Sequence, residues 1–188
     1  MTVVAFDFDG TLSDSEMTVL LGEQCDTVEG SSTGNRATRG SVADRMDGIT
    51  ERAMNDEIAY AESLRQRCAL LESLDNADAQ AALDAADASV DTIVANRLPV
   101  ADGALTGDVG GPLIEGTKDD ALAVLAAALD EDVDDTVAVG DGANDLPMLE
   151  VAGLAVGFAP KPAVEPACDA VVESMAGLRD VLETEELL

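Results

Sequence analysis

The chain has 188 residues, 47% of them hydrophobic, yet aromatics supply only 2% and histidine is absent. One domain, or one core with a modest insertion, is the expected size class, and Val, Leu, Ile and Ala must build its interior. Without histidine, Ser-His-Asp and Cys-His catalysis, histidine-ligated zinc and any phosphohistidine route are excluded, and acid-base work falls to carboxylates or lysine.

Acidic residues outnumber basic ones 39 to 10, a formal net charge of -29, and such a surface repels nucleic acid and anionic membranes. Disorder does not account for it, because the apolar periodicity is clear. A salt-accumulating, halophilic cytoplasm does: in molar salt the Debye length falls to about 3 Å and the self-repulsion is screened. Cys25, Cys68 and Cys168 are odd in number, far apart and in no CxxC arrangement, which argues against a disulfide framework or zinc site and for buried fillers. The N-terminus lacks a basic stretch with a cleavage site, and the longest apolar run, Ala121 to Leu129, is too short to span a bilayer. A cytoplasmic protein is expected.

Thr2 to Phe8 is a short apolar run ending in acidic residues, which reads as a buried parallel strand with functional groups at its carboxyl end. From Ser15 to about Asn76 the spacing is helical, interrupted by a Gly/Ser/Thr-rich loop over Thr27 to Gly40. After Thr92 the chain returns to β character, with Thr92 to Ala95 as a strand and a hairpin across Asp102-Gly103. Helix and strand then alternate: Lys118 to Leu129, Thr136 to Gly140, Asp145 to Val151, Leu154 to Phe158, Ala170 to Val172 and a closing helix. This alternation predicts an α/β fold, a Rossmann-like parallel sheet with helices on its faces. The expected organisation is a discontinuous core over 1–14 and 77–188, with a helical cap over 15–76.

Asp7 and Asp9 sit two apart at the end of the first strand, on one face, where a strand prefers apolar or β-branched residues. Followed by Gly10-Thr11, two such carboxylates suit a divalent-cation site in which one of them attacks phosphorus; a plain polar exit from strand to loop is the alternative. A second acidic cluster, Gly140-Asp141-Gly142-Ala143-Asn144-Asp145, ends a second strand. In a parallel sheet the two strand ends meet at one edge, so Asp141 and Asp145 can share a magnesium ion with Asp7; alone, this segment also reads as a Gly-Asp turn with an N-cap. Lys118 opens a helix, where the macrodipole disfavours a cation, in a chain whose only lysines are Lys118 and Lys161. An ammonium there can neutralise an attacking carboxylate and phosphoryl oxygens, or it is a solvated surface charge.

Together, Asp7-Phe8-Asp9-Gly10-Thr11, Lys118 and the Gly140 to Asp145 cluster resemble the haloacid dehalogenase superfamily of magnesium-dependent phosphatases. Within it the chain is most similar to the phosphoserine phosphatase family. Ile49 to Leu74 looks like that family's cap, and Ala95 to Leu98, Leu105 to Val109 and Asp135 to Asp141 look like its later core. The resemblance implies a phosphoaspartyl mechanism in which Asp7 attacks, Asp9 is general acid and then base, and Lys118 steadies the phosphoryl charge. It also implies Mg2+ held by the Asp7 carboxylate, the Asp9 carbonyl and Asp141, with Asp145 and Asn144 in support. Glu16 would bind the amine and Arg67 the carboxylate of a small phosphorylated amino acid, O-phospho-L-serine, with Met54 and Tyr60 lining the cap; a zwitterion needs one anion and one planar bidentate cation. Otherwise Arg67 is a helix-surface ion pair and Glu16 a first-turn carboxylate. A homodimer is compatible with this reading.

One part of the resemblance fails. The family carries a further strand between cap and hairpin, ending in Ser or Thr followed by glycines, whose hydroxyl and amide hold the phosphoryl group. Between Leu74 and Thr92 this chain reads as an Ala/Asp-rich helix with no Ser-Gly or Thr-Gly. The absent strand belongs beside the first one, so the first strand is expected either to expose an unpaired edge or to pair with something else. A related small-molecule phosphatase and a catalytically impaired binding protein are the rival readings. A receiver-type phosphoacceptor, which also combines an acidic cluster with a lysine, is opposed by the large helical insertion and the Asp-x-Asp-Gly-Thr spacing.

Overall fold

The computed structural model describes residues 2–13, 16–29, 41–54, 57–83, 90–115 and 117–187. The chain divides into two compact units, residues 1–14 with 116–188 and residues 15–115.

The first unit is built on a four-stranded parallel sheet, β1 (Val4–Phe6), β4 (Val137–Gly140), β5 (Leu154–Phe158) and β6 (Ala170–Val172), in that spatial order. Alternation along the strands divides the interior in two. Ala138 and Ala155 face Leu122 of helix α5 (Lys118–Ala128) and Met148 and Leu149 of α6 (Leu146–Val151). Val137, Val139 and Val156 face Leu178 and Leu182 of α7 (Met175–Thr184) on the other side. The small Ala row under one layer and the valine row under the other explain how an interior with almost no aromatics still fills. Ser174 caps α7, its hydroxyl accepting from the Gly177 amide at 3.2 Å.

β4 is buried throughout, whereas all three residues of β1 are half-buried. Among the described residues β1 pairs with β4 alone and forms the edge of the sheet. This is the unpaired edge, one of the two outcomes expected where the family's further strand is missing.

The second unit holds α1 (Met17–Glu29), α2 (Val42–Met54), α3 (Tyr60–Ala69), α4 (Asn76–Leu83) and the hairpin β2 (Val100–Ala101) and β3 (Ala104–Leu105). Leu21, Cys25, Met46, Leu71, Leu74, Ala79 and Leu105 form its main core, while Cys68 packs with Leu64 and Ile114. Ser41 and Asp44 exchange reciprocal bonds at the start of α2, and Asp26 of α1 accepts from the Val42 amide at 2.9 Å. The hairpin turns on Asp102 and Gly103, both with φ positive (52° and 84°), the backbone that an Asp-Gly pair supplies for a tight two-residue turn. The loop expected over Thr27 to Gly40 lies largely outside the described residues, since 30–40 are not described and 27–29 belong to α1.

Two expectations differ from the structure. Thr92 to Ala95 is not a strand: the segment has no ladder partner among the described residues, and Ile93 is 75% exposed. A β-branched run forms a strand only where a neighbour completes its hydrogen bonds. The units also part near residue 115 rather than at 76, because Ala79 of α4 and Leu105 of the hairpin are buried against Leu21 and Leu71. All three cysteines are free; Cys25 and Cys68 are buried and Cys168 is half-buried.

Gly153 ends the turn between α6 and β5, and a Cβ built there would lie 1.8 Å from the Asp134 carbonyl oxygen. Gly153→Ala is expected to destabilise the fold by about 3 kcal/mol, measured by denaturant unfolding in molar KCl.

Candidate active site

The parallel register pairs Phe6 with Val139, so the residues that follow, Asp7 on one strand and Gly140-Asp141 on the other, emerge at the same edge of the sheet. The ladder continues one bond further, the Asp7 amide donating to the Val139 carbonyl at 2.9 Å. Beyond it the chain folds tightly back, with the Leu12 and Ser13 amides both donating to the Phe8 carbonyl and Gly10 at φ 80°. A Cβ on Gly10 would come within 2.9 Å of the Asp141 carboxylate, so the first acidic loop can approach the second only through a glycine.

The second loop is organised around Asp145, which is fully buried. One of its carboxylate oxygens accepts from the Asp141 amide at 3.0 Å and the Gly142 amide at 2.9 Å; the other accepts from Asn144 Nδ2 at 3.3 Å. Gly140 makes room for this side chain, since a Cβ there would stand 2.6 Å from it.

Lys118, at the start of α5, joins the loops. Its ammonium donates to Asp7 Oδ1 and to Asp145 Oδ1, each at 2.5 Å. Burial disfavours the charged ammonium, but Asp145 and Asp7 outweigh that and hold it above its usual range. Burial, and secondarily the Asp7 carboxylate, push the Asp145 carboxyl up, with Lys118 and the Gly142 amide offsetting part of the push. Asp7, Asp141 and Asp145 each bring a carboxylate oxygen within 4.8 Å of the others. A cluster of oxygen donors alone suits a hard divalent cation.

Of the residues singled out from sequence, Asp7, Lys118, Asp141, Asn144 and Asp145 thus converge on one site. Asp9 follows on the same loop, half-buried, and its carboxylate is not one of the three clustered ones. In the second unit, Arg67 is buried at 6% exposure and donates to Glu16 Oε2 at 2.5 Å and Thr18 Oγ1 at 3.0 Å. Tyr60 is 37% exposed at the first position of α3; Met54 ends α2, and its side chain lies outside the described residues.

Sequence reasoning missed Lys161. Its ammonium lies 3.0 Å from Asp141 Oδ2, and its backbone amide donates to the Asp141 carbonyl at 2.9 Å. The signal was lysine scarcity, which flags both lysines of this chain equally.

The haloacid dehalogenase-like hydrolase family matches residues 77–150. A phosphoserine phosphatase of Halobacterium salinarum is 42% identical, with 97% of this chain and 98% of the relative covered. Another, from Idiomarina loihiensis, is 34% identical over 92% of this chain and 88% of its own length. The Halobacterium alignment runs over 221 positions against a chain of 188 residues, so that relative carries residues with no counterpart here. A solved phospho-aspartyl intermediate analogue of phosphoserine phosphatase superposes with a TM-score of 0.80 at 27% identity, covering 97% of this chain and 98% of the other. A substrate-bound phosphoserine phosphatase complex gives 0.79 at 26% identity, with 97% of each covered.

Because the folded-state pKa of Lys118 is raised, the stability it contributes is complete below the ordinary lysine value of 10.5 and is lost as pH climbs through the raised one. Thermal stability is therefore expected to fall more steeply above pH 10.5 in the parent than in Lys118→Met, measured by thermal unfolding from pH 8 to 12.

Proposed function

The chain belongs to the haloacid dehalogenase-like hydrolases, in the phosphoserine phosphatase branch, and we propose that it hydrolyses O-phospho-L-serine to serine and phosphate in the cytoplasm of a salt-accumulating cell. The observation that carries this reading is Lys118 bridging Asp7 and Asp145 beside Asp141. It sets a carboxylate nucleophile at a strand end, next to a cation that disperses the charge of a phosphoryl group.

In the proposed reaction Asp7 Oδ attacks phosphorus, and the bond to the serine oxygen breaks while Asp9 donates its proton to that oxygen. Water then attacks the aspartyl phosphate, Asp9 takes its proton, and phosphate leaves with Asp7 restored. Lys118 holds Asp7 in place and faces the charge that develops. Asp7, the Asp9 carbonyl and Asp141 would hold Mg2+, with Asp145 fixing the Asp141 loop through the two amides it binds. When bound, the cation supplies charge neutralisation at the phosphoryl oxygens.

Glu16 and Arg67 suit the amino-acid end of the substrate. Their mutual ion pair is the arrangement that an ammonium and a carboxylate on one ligand can replace, partner for partner. Arg67 Nε is buried without a hydrogen-bond partner among the described residues, so the guanidinium retains donor capacity for a second anion. Asn144 orients Asp145 here and is proposed to contact substrate as well.

The strand bearing the phosphoryl-binding hydroxyl and amide has no counterpart in this sequence, and such a donor contributes about 3 kcal/mol to barrier lowering. Slow turnover is expected, on the order of a hundredfold or more below that of a relative carrying that strand. Phosphate release from L-phosphoserine in molar KCl with magnesium should be measurable and should vanish in Asp7→Asn. No release from a folded chain would reject the enzyme reading and leave a binding protein. Arg67→Met is expected to raise KM for phosphoserine about tenfold or more while changing KM for p-nitrophenyl phosphate less than about twofold, since a buried charge-assisted bond is lost only by the zwitterionic substrate.

A further inference from the structure

Lys161 has no part in the reaction as derived above, yet its position is specific. It follows β5 in the turn Ala159-Pro160-Lys161, and two bonds tie it to one residue: its amide donates to the Asp141 carbonyl at 2.9 Å, and its ammonium approaches Asp141 Oδ2 at 3.0 Å. The backbone bond fixes the root of the side chain beside the acidic loop. The ammonium is on a four-carbon stem and 46% exposed, so its far end is free to turn while the root stays.

Asp141 cannot serve a divalent cation and an ammonium through the same oxygen without two positive charges competing at about 3 to 4 Å, a repulsion of several kcal/mol at protein-surface permittivity and less in strong salt. A cation on that oxygen drives the ammonium towards another anion. The ammonium already lies beside the acidic loop, since a Cβ built on Gly142 would stand 3.5 Å from Nζ. An arriving phosphoryl group brings a further anion to the cluster beside which this side chain is rooted.

We propose that Lys161 is an exchangeable second ammonium of this site, holding Asp141 in the cation-free state and turning to the phosphoryl oxygens in the loaded state. It thereby takes over part of the work of the hydroxyl and amide that this chain lacks. The inference rests on the phosphomonoesterase reading for its second half, while its first half concerns the cation alone.

The exchange predicts shifts of opposite sign for two ligands. Lys161→Met removes a competitor for Mg2+ and a partner for phosphate. Calorimetric titration of Mg2+ alone, in molar KCl, should give binding about three- to tenfold tighter than in the parent. Titration of inorganic phosphate into the magnesium-loaded protein should give binding weaker by a similar factor, and Lys161→Arg should keep both affinities near the parent's. Lys161→Gln, which keeps a polar side chain at this half-exposed position, provides a second variant should Lys161→Met fold poorly. Two affinities moving in the same direction, or neither moving, would overturn the proposal, because a merely structural lysine loosens both ligands together. If the opposed shifts occur in a chain that releases no phosphate from phosphoserine, the hydrolase reading falls and the exchange stands. If the chain is active and Asp7-dependent but the shifts are missing, only the role of Lys161 falls.

Discussion

The Lys118 ammonium, 2.5 Å from a carboxylate oxygen of Asp7 and 2.5 Å from one of Asp145, is the contact on which the site depends. Residues 7, 118 and 145 come from three separate segments of the chain, and this cation holds their ends at one edge of the sheet. All three side chains are largely shielded from water, Asp145 entirely so. Burying such charges is costly, and their attraction offsets the cost only when the remaining lone pairs are also satisfied. The amides of Asp141 and Gly142 and the side chain of Asn144 do that for Asp145. Deleting one member would strand a buried charge, at a cost of about 3 to 5 kcal/mol. The same burial shields the contact from salt. Molar electrolyte screens exposed pairs such as Arg179 with Glu183 and Arg52 with Glu57, but it screens a water-excluded triad much less.

The sheet delivers these groups with a margin on only one side. Among the described residues β1 is held by β4 alone, so the position of Asp7 rests on one parallel ladder and the bond from its amide to Val139. In a central strand, ladders on both flanks would fix the strand end. Here that fixing falls to the back-folded loop from Phe8 to Ser13, whose amides converge on the Phe8 carbonyl, and to Lys118. The buried ammonium is held at a helix start, despite the unfavourable macrodipole there, by the two carboxylates it pairs with.

Most of the first unit was legible in the sequence because its signals are local. The apolar runs at Thr136 to Gly140, Leu154 to Phe158 and Ala170 to Val172 match β4 to within a residue and β5 and β6 throughout. The Asp102-Gly103 turn follows from the left-handed backbone those two residues tolerate. The convergence of Asp7 with Asp141 and Asp145 was legible too, since a parallel register carries consecutive strand ends to one edge. What misled was non-local. Thr92 to Ala95 has the composition of a strand but no neighbour to pair with, and composition cannot report a missing neighbour. The division between the units depended on where Ala79 and Leu105 bury their side chains, which helical spacing in an alanine-rich stretch does not specify. Lys161 was passed over because a lone lysine after a strand carries no pattern; only its two bonds to Asp141 reveal it.

Lysine scarcity then acquires a physical meaning. The chain has ten basic residues, and its only two lysines both lie on carboxylates of one site. Elsewhere the described cation pairs are made by arginine, as at Arg52, Arg65, Arg67 and Arg179. A guanidinium suits a planar fork of two oxygens, whereas an ammonium is a compact charge that fits between oxygens of different residues and turns on a flexible stem. Lys118 uses the first property to stand between Asp7 and Asp145, and Lys161 has the second. An arginine at 118 would carry the same charge on a planar fork, whereas the lysine places one nitrogen 2.5 Å from a carboxylate oxygen of each residue.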